Sequence, residues 1–300
     1  MGHAIGHRCL AVRDIAQDAI IELNLLYPSG DAPRLHHVGS YPLELARDGR
    51  PVPGPRALVV LSHGDGGTPW VHRDLAIGLA RHGFVVAMPK HPGNSLNDNA
   101  LAGSLSNLEN RPRHLRLCVD AALADPMIGT NPAARVAMIG HSMGGYSVLA
   151  AAGGQPWSGG AGMSGGPPRP IAVTRDRRIA ALVLLAPATR WFGAPGALSG
   201  VDMPILMRFA EHDALIPPRL ADIVRQGVPD AGRIACGLVA GAGHFSFLSP
   251  FPPHRIRSDF PPSQDPPGFD RAAYQAVLLT EIGEFLRRTM RIDERGVCEA

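Results

Sequence analysis

Short, continuous apolar runs recur along the chain from residue 57 onward. Runs of this kind, bounded by turn residues, are typical of strands that are covered on both faces of a parallel sheet. The predicted strands are 57–62, 84–89, 135–140, 180–187, 204–210 and 234–241. Between them, apolar positions recur at helical spacing. The predicted helices are 70–83, 107–126 (despite Pro112), 143–154, 217–227 and 271–290. This alternation predicts an α/β protein with a doubly wound, mostly parallel sheet and helices on both faces.

The amino-terminal part has a different pattern. Residues 19–30 alternate apolar and polar positions up to a Pro-Ser-Gly turn, and residues 35–49 are also typical of extended chain. We therefore predict that these two segments form an antiparallel hairpin before the parallel sheet begins. The first seven residues, "MGHAIGH", are expected to be unstructured, although their two histidines leave metal binding or a vector remnant as alternatives.

Two segments interrupt the alternation of strands and helices. Residues 153–170 are rich in Gly, Pro and Ser, which is typical of a flexible linker or of a mobile flap over a site. Residues 248–269 are rich in Pro and are expected to be irregular surface chain. With these two insertions, residues 1–300 are predicted to form a single α/β domain.

Composition narrows the classes of function. The net charge is only +3 and the basic residues are scattered, so we expect no nucleic-acid surface. The four cysteines are far apart and form no CxxC pair, which argues against a structural zinc site and favours reduced, mostly buried thiols, with a single disulfide as the alternative. No segment has the pattern of a signal peptide or a membrane span, and the expected location is the cytoplasm. The sequence predicts no oligomeric state.

The stretch "GHSMGG" at 140–145 contains the pattern G-x-S-x-G between a predicted strand and a predicted helix. In that context the pattern indicates a sharp turn that exposes a nucleophilic serine, here Ser142. Side chains at Gly140 and Gly144 would collide with the flanking backbone of such a turn. The alternative is a tight turn that contains a serine with no role in chemistry.

A serine nucleophile needs a base and an acid, which follow it in this order in such sheets. His244 lies in a glycine-rich turn after the last predicted strand, and Asp213 follows the strand before it. Each residue has an alternative: His244 as an ordinary loop histidine, and Asp213 as a helix cap. Glu211 is the main competitor for the role of the acid. The predicted triad is Ser142, Asp213 and His244.

The glycine-rich loop "LSHGDGG" at 61–67 follows the first predicted strand of the parallel sheet. Its backbone N–H groups are suited to bind a developing oxyanion, and we predict the N–H of Asp65 as one donor and that of Met143 as the other. A metal site formed by His63, Asp65 and His72 is the alternative, although their spacing matches no standard ligand motif.

Aromatic residues occur in or beside the loops expected at this site. Trp70, Trp191 and Phe245 are the predicted substrate-binding residues, and Phe192 and Phe247 are further candidates. Each of them is alternatively a core residue.

Together these motifs resemble the α/β-hydrolase superfamily. The stretches "LVVLSHGDGG", "GFVVAMPKHPGNS", "MIGHSMGGYSVLA", "RRIAALVLLAPA" and "GHFSFL" are similar to the bacterial predicted dienelactone hydrolases, a group related to platelet-activating-factor acetylhydrolases. The likeness covers about residues 8–290. It implies a Ser-Asp-His acyl hydrolase that uses no metal or organic cofactor and acts on small carboxylic esters or lactones.

The sequence departs from these relatives at three positions. Dienelactone hydrolases proper have a cysteine where this chain has Ser142. In the acetylhydrolases the acid follows the strand after the nucleophile, where "LAPATRW" offers no carboxylate, and this supports Asp213. Lys90 stands where relatives often have an acidic residue, and it is either solvated or in contact with substrate.

The same triad would also serve an amidase, a peptidase or an acyltransferase. A non-catalytic binding protein with this fold is a further alternative, and such a protein would be expected to lack a member of the triad. All three members are present here. The predicted function is therefore hydrolysis of a small-molecule acyl substrate by a serine esterase.

Overall fold

One mixed sheet runs through the part of the chain that the computed structural model describes, which is residues 3–54, 56–128, 135–159 and 167–291. Its strands are β1 (Ala4–Asp14), β2 (Ala19–Ser29), β3 (Arg34–Val38), β4 (Tyr41–Arg47), β5 (Leu58–Ser62), β6 (Val85–Lys90), β7 (Val136–His141), β8 (Ile179–Leu185), β9 (Ile205–Ala210) and β10 (Ile234–Val239). Their order across the sheet is β10-β9-β8-β7-β5-β6-β2-β1-β4-β3. All six strands predicted from the apolar runs are present, and they form the parallel part of the sheet.

The α-helices cover both faces of this sheet. They are α1 (Arg73–Arg81), α2 (Leu105–Ala124), α3 (Met143–Ala151), α4 (Ala221–Gly227) and α5 (Arg271–Met290). Apolar side chains of α1 and α5 pack in one buried cluster with one face of the strands. Those of α2, α3 and α4 pack in a second cluster on the other face. The strands are apolar along their whole length because helices cover both faces of the sheet, as the sequence predicted.

The amino-terminal hairpin is present, but its strands differ from the prediction. β1 pairs with β2 along its whole length, from Ala4 opposite Ser29 to Asp14 opposite Ala19. Residues 34–47 form a separate hairpin of β3 and β4. The expectation of an unstructured start was therefore wrong from Ala4 onward. Cross-strand pairing and burial stabilise this segment, and His7 is buried in a hydrogen bond with Asn24.

Pro112 lies inside α2 without ending it. Proline has no N–H, so the carbonyl of Leu108 loses its helical partner. The buried hydroxyl of Tyr146, on α3, donates to that carbonyl at 2.9 Å instead. The proline therefore creates an acceptor that ties α2 to the helix following Ser142.

The two Gly/Pro-rich insertions lie in different places. The described part of 153–170 pairs with itself, since Ser158 N–H donates to the Arg169 carbonyl at 2.8 Å. Residues 160–166 lie outside the described residues.

Of the four cysteines, Cys298 lies outside the described residues. The three described cysteines are free: Cys118 is buried, whereas Cys9 and Cys236 are exposed, contrary to the expectation of mostly buried thiols. Among the described residues, no helix is both long and apolar enough to cross a bilayer.

Candidate active site

Ser142 occupies a strained turn between β7 and α3. Its φ of 54° lies in the left-handed region, which non-glycine residues adopt rarely and which recurs in active-site turns. A Cβ added to Gly140 would collide with the Gly144 backbone, and one added to Gly144 would collide with the Ser62 carbonyl. The glycines of the motif are therefore required by contacts with backbone atoms, as the sequence predicted.

The turn lies at a switch point of the sheet. β5 is flanked by β6 on one side and β7 on the other, so the chain crosses from one side of β5 to the other. The loops that follow β5 and β7 border the crevice that forms at such a point. This topology brings the loop containing Asp65 beside Ser142.

Asp213 and His244 form a buried pair. The Nδ1 atom of His244 lies 2.7 Å from Oδ2 of Asp213. The other oxygen, Oδ1, accepts hydrogen bonds from the N–H groups of Leu215 at 2.9 Å and Ile216 at 2.7 Å. Asp213 thus caps the turn before α4 and binds the imidazole at the same time, so the two interpretations of its role are compatible. Glu211, the competing acid, instead accepts from the Gly241 N–H at 2.8 Å.

Ser142 and His244 line a common cavity of about 580 Å³. Since Nδ1 of His244 is bound to Asp213, Nε2 is the ring nitrogen free to act on a neighbouring hydroxyl. No hydrogen bond joins the Ser142 hydroxyl and the His244 ring, although both residues are described. Contacts of this kind often tighten only when substrate binds.

The glycine-rich loop after β5 lines the cavity through Gly64, Asp65, Gly66 and Gly67. Met143 is the first residue of α3, so its N–H has no partner within the helix. In the described part of the chain, the N–H groups of Asp65 and Met143 donate to no backbone acceptor in a turn or loop. Both predicted donors are therefore available to a ligand near Ser142.

The residues of the alternative metal site do not converge. His63 donates to the Gly64 carbonyl at 2.8 Å, and its ring packs against His91. His72 packs edge-on against His141, while Asp65 accepts from Asn94 at 2.6 Å. No group of three or more potential ligands lies close enough to hold a metal ion within the described residues.

Aromatic and apolar side chains form most of the remaining cavity wall. Trp70 and Phe245, two of the predicted substrate-binding residues, line it. Trp191 does not: it is 5% exposed and packs edge-on against Tyr146, with ring centroids 5.0 Å apart. The prediction for Trp191 was wrong because the turn at 190–192 faces the core beside α3.

The Pro-rich segment 248–269 provides a wall that the sequence did not predict. Leu248, Phe251, Arg255, Phe260 and Pro262 all line the cavity. In contrast, no described residue of 153–170, the segment predicted as linker or flap, lines it. The Pro-rich segment therefore closes the site, whereas the described part of 153–170 lies away from the cavity.

Charged residues also line this cavity. Lys90 lines it together with Glu22, which is its partner in the register of β6 and β2. Arg255 donates to the Ser40 hydroxyl at 3.3 Å and lies over the Phe260 ring. The cavity therefore combines an apolar interior with charged groups of both signs.

His141, the variable residue before Ser142, supports the histidine loop. Its Nε2 donates to the His244 carbonyl at 3.0 Å, and the two ring centroids are 4.9 Å apart. Burial lowers the pKa of His141 well below its ordinary value, so the ring is neutral. Nothing in the motif indicates a role for His141, because the motif allows any residue at that position.

Comparisons with known proteins agree with this architecture. Residues 53–198 match the family model described as serine aminopeptidase, S33, a range that includes Ser142 and Asp65 and ends before Asp213. No curated protein matches the chain significantly.

Two solved structures are similar over nearly the whole chain. A ferulic acid esterase from Streptomyces cinnamoneus has 20% identity and a TM-score of 0.71, covering 96% of this chain and 90% of that one. A dienelactone hydrolase from Anabaena variabilis has 14% identity and a TM-score of 0.56, covering 94% and 98%. At these identities the likeness shows a shared fold.

Proposed function

We propose that this chain, of which residues 53–198 match a hydrolase family model and which shares the fold of a solved esterase, is a serine hydrolase of the α/β-hydrolase superfamily that cleaves carboxylic esters or lactones of small substrates. The observation that carries the proposal is the 2.7 Å hydrogen bond between Asp213 and His244, a residue that lines the same cavity as Ser142. A nucleophile, a base and an acid are the three groups that acyl transfer by this route needs.

The acylation step follows from this arrangement. The Ser142 hydroxyl attacks the acyl carbon while Nε2 of His244 takes its proton, and Asp213 stabilises the imidazolium that forms. The oxyanion of the tetrahedral intermediate binds the N–H groups of Asp65 and Met143. His244 then returns the proton to the leaving alcohol as the C–O bond breaks.

Deacylation uses the same groups. A water molecule gives a proton to His244 and attacks the acyl carbon of the acyl-enzyme. The second tetrahedral intermediate binds the same two N–H groups and collapses. This releases the carboxylic acid and returns the proton to the Ser142 oxygen. No step requires a cofactor.

The cavity supports a small substrate with an apolar body. Its volume of about 580 Å³ is in the range of small-molecule sites, and Trp70, Phe245 and Phe251 contribute aromatic surface to it. The similar structures are an esterase and a hydrolase named for a lactone, which supports esters or lactones over amides.

Peptide or amide hydrolysis is the second candidate, because the matching family model is described as a serine aminopeptidase. The two candidates are separated by assaying p-nitrophenyl esters of increasing acyl length beside the matching p-nitroanilides. We expect turnover of the short esters with anilide turnover at least about a hundredfold slower, since an amine is a poorer leaving group. Activity confined to anilides would overturn the esterase proposal.

A further inference from the structure

Arg111 is a cation in the hydrophobic interior. It lies in α2 between Leu108 and Leu115, at a spacing that points all three side chains toward the sheet, and its own exposure is 0%. A buried charge is costly unless it is hydrogen-bonded or paired. Burial lowers the pKa of Arg111 to about 9, which still leaves the guanidinium charged at neutral pH.

The partners of Arg111 come from three separate segments. Its Nε donates to the Ser147 hydroxyl at 2.9 Å, and one terminal nitrogen donates to the Asn94 side-chain oxygen at 2.6 Å. The other terminal nitrogen donates to the Ser62 hydroxyl at 3.2 Å and to the His63 carbonyl. All four acceptors are neutral, so the guanidinium fork acts here as a bridge between segments.

Two of these partners lead to the loop that contains Asp65. His63 is part of that loop, and its carbonyl is held directly. Asn94 receives the Arg111 hydrogen bond on its oxygen and donates from its nitrogen to Oδ1 of Asp65 at 2.6 Å. Arg111 therefore fixes this loop both through its backbone and through the Asp65 side chain.

Another partner leads to the helix that contains Met143. The Ser147 hydroxyl, which accepts from Arg111, donates to the Met143 carbonyl at 2.8 Å. The predicted oxyanion donors Asp65 and Met143 are thus connected to the same guanidinium, each through at most one intervening side chain.

We propose that Arg111 is a positioning residue that sets the separation of the two oxyanion donors. The inference rests on the proposed function. Two backbone N–H groups on different segments stabilise an oxyanion only while both point at one position, and a shift of about 1 Å at a reacting centre can lower the rate a hundredfold. A planar, five-donor side chain that binds both segments restricts that shift.

A chain of hydrogen-bonded histidines orients the Ser62 hydroxyl so that its oxygen accepts a hydrogen bond from Arg111. His114 donates from Nε2 to Gln17 at 2.6 Å, His91 donates to Nδ1 of His114 at 3.1 Å, and the Ser62 hydroxyl donates to Nε2 of His91 at 2.9 Å. The Ser62 oxygen is then left to accept from Arg111. Burial lowers the pKa of His91 well below its ordinary value and that of His114 to about 3, so both rings are neutral beside the cation.

The test compares an oxygen ester with the thiono ester of the same acid and alcohol. An oxyanion hole stabilises oxygen well and the larger, weaker acceptor sulfur poorly, so damage to the hole lowers turnover of the oxygen ester selectively. We expect Arg111→Met to lower kcat/KM for the oxygen ester by about 10- to 100-fold, with a much smaller loss for the thiono ester.

Asn94→Ala and Ser147→Ala provide the same test with smaller perturbations, should Arg111→Met fail to fold. Asn94→Ala removes the link from Arg111 to the Asp65 side chain, and Ser147→Ala removes the link to the Met143 carbonyl. Each is expected to lower the oxygen-to-thiono ratio. The matched control is Arg113→Met on the same helix, where the arginine binds Asp14 in the amino-terminal hairpin at 2.8 Å. This control is expected to keep the wild-type ratio.

The possible results are distinct. Equal losses for both esters in folded Arg111→Met, or wild-type ratios in both alanine variants, would show that Arg111 only stabilises the fold, and the assignment would be overturned. A wild-type protein with no turnover of any ester would instead overturn the proposed function, and this assignment with it.

Discussion

The two sides of Ser142 are built differently. On one side, Asp213 and His244 meet directly through a single hydrogen bond of 2.7 Å between two neighbouring loops. On the other side, the donors near Asp65 and Met143 are backbone groups whose positions depend on Arg111, a buried residue from a distant helix. In the proposed mechanism the first side acts through side chains that move a proton, whereas the second acts through backbone N–H groups that other side chains hold in place.

This difference explains which parts of the site a sequence can reveal. Acid–base chemistry requires particular residue types, so Asp213 and His244 could be predicted from their residue types and their order in the sequence. An N–H group is present in every residue except proline, so the donor loop is visible only through its glycines. The residues that position these N–H groups can be identified only once the fold is known.

The largest effect is expected when the proposed acid, Asp213, is replaced. Asp213→Asn should lower kcat for ester hydrolysis by about 10⁴-fold, because an amide favours the wrong tautomer of His244. The matched control is Glu211→Gln, which makes the same chemical change two residues earlier, where the exposed carboxylate accepts from the Gly241 N–H and lies 3.9 Å from the His212 ring. It should retain activity within about threefold. Comparable losses in both variants, measured by steady-state kinetics on folded protein, would contradict the assignment of the acid.

The next effect concerns the packing around the donors. Gly144→Ala should lower the free energy of unfolding by about 3 kcal/mol, because the added Cβ meets the Ser62 carbonyl, and backbone cannot move as cheaply as a side chain. Gly30→Ala is the control, since its Cβ would have no neighbour within 4 Å. Urea denaturation measures both. A Gly144→Ala protein as stable as the control would contradict the close approach of the two segments.

Much of the fold follows from local pattern, and the exceptions have physical causes. The strands of the parallel sheet are apolar along their whole length because helices cover both faces, and they were predicted on that basis. The strand from Ala4 was missed because its stability comes from pairing with β2 rather than from its own residues.

Three features of the site were also not predicted from the sequence. Arg111 carries a signal in retrospect, a charged residue at a core-facing position of a helical repeat. The wall formed by 248–269 and the inward position of Trp191 carry none, because they depend on how irregular chain packs on a finished sheet.

A third prediction concerns the buried histidines near Arg111 and the Asp65 loop, which are His63, His91 and His114. In the unfolded chain their pKa is near 6.5, whereas burial lowers the pKa of His114 in the folded chain to about 3 and that of His63 and His91 well below the ordinary value. Below about pH 6.5 the unfolded state therefore binds protons that the folded state excludes. Stability should fall as the pH falls, by up to about 1.4 kcal/mol per pH unit for each such histidine.

Urea denaturation between about pH 6.5 and pH 5 tests this dependence, above the range in which most carboxylates titrate. His114→Asn should make the slope of stability against pH shallower, while a substitution of the exposed His254 should leave it unchanged. A wild-type stability that stays constant over this interval would show that these rings are not held neutral.

The smallest expected effect concerns substrate size. Phe251 is 7% exposed and lines the cavity, so Phe251→Ala should enlarge the space for the substrate. We expect kcat/KM to shift toward longer acyl chains by roughly threefold to tenfold, since each methylene gains a modest contact. The control is Phe192→Leu, a core change outside the cavity, which should lower stability and leave the preferred chain length unaltered. An unchanged preference in Phe251→Ala would contradict the assignment of this wall.

The central claim is that Ser142 is an activated nucleophile, and covalent labelling tests it most directly. Intact protein incubated with a fluorophosphonate should gain the mass of one adduct, and peptide mapping should assign that adduct to Ser142. The Ser142→Ala variant should gain none. If the wild-type protein stays unlabelled, or if the label is found on another residue and persists in Ser142→Ala, Ser142 is not an activated nucleophile.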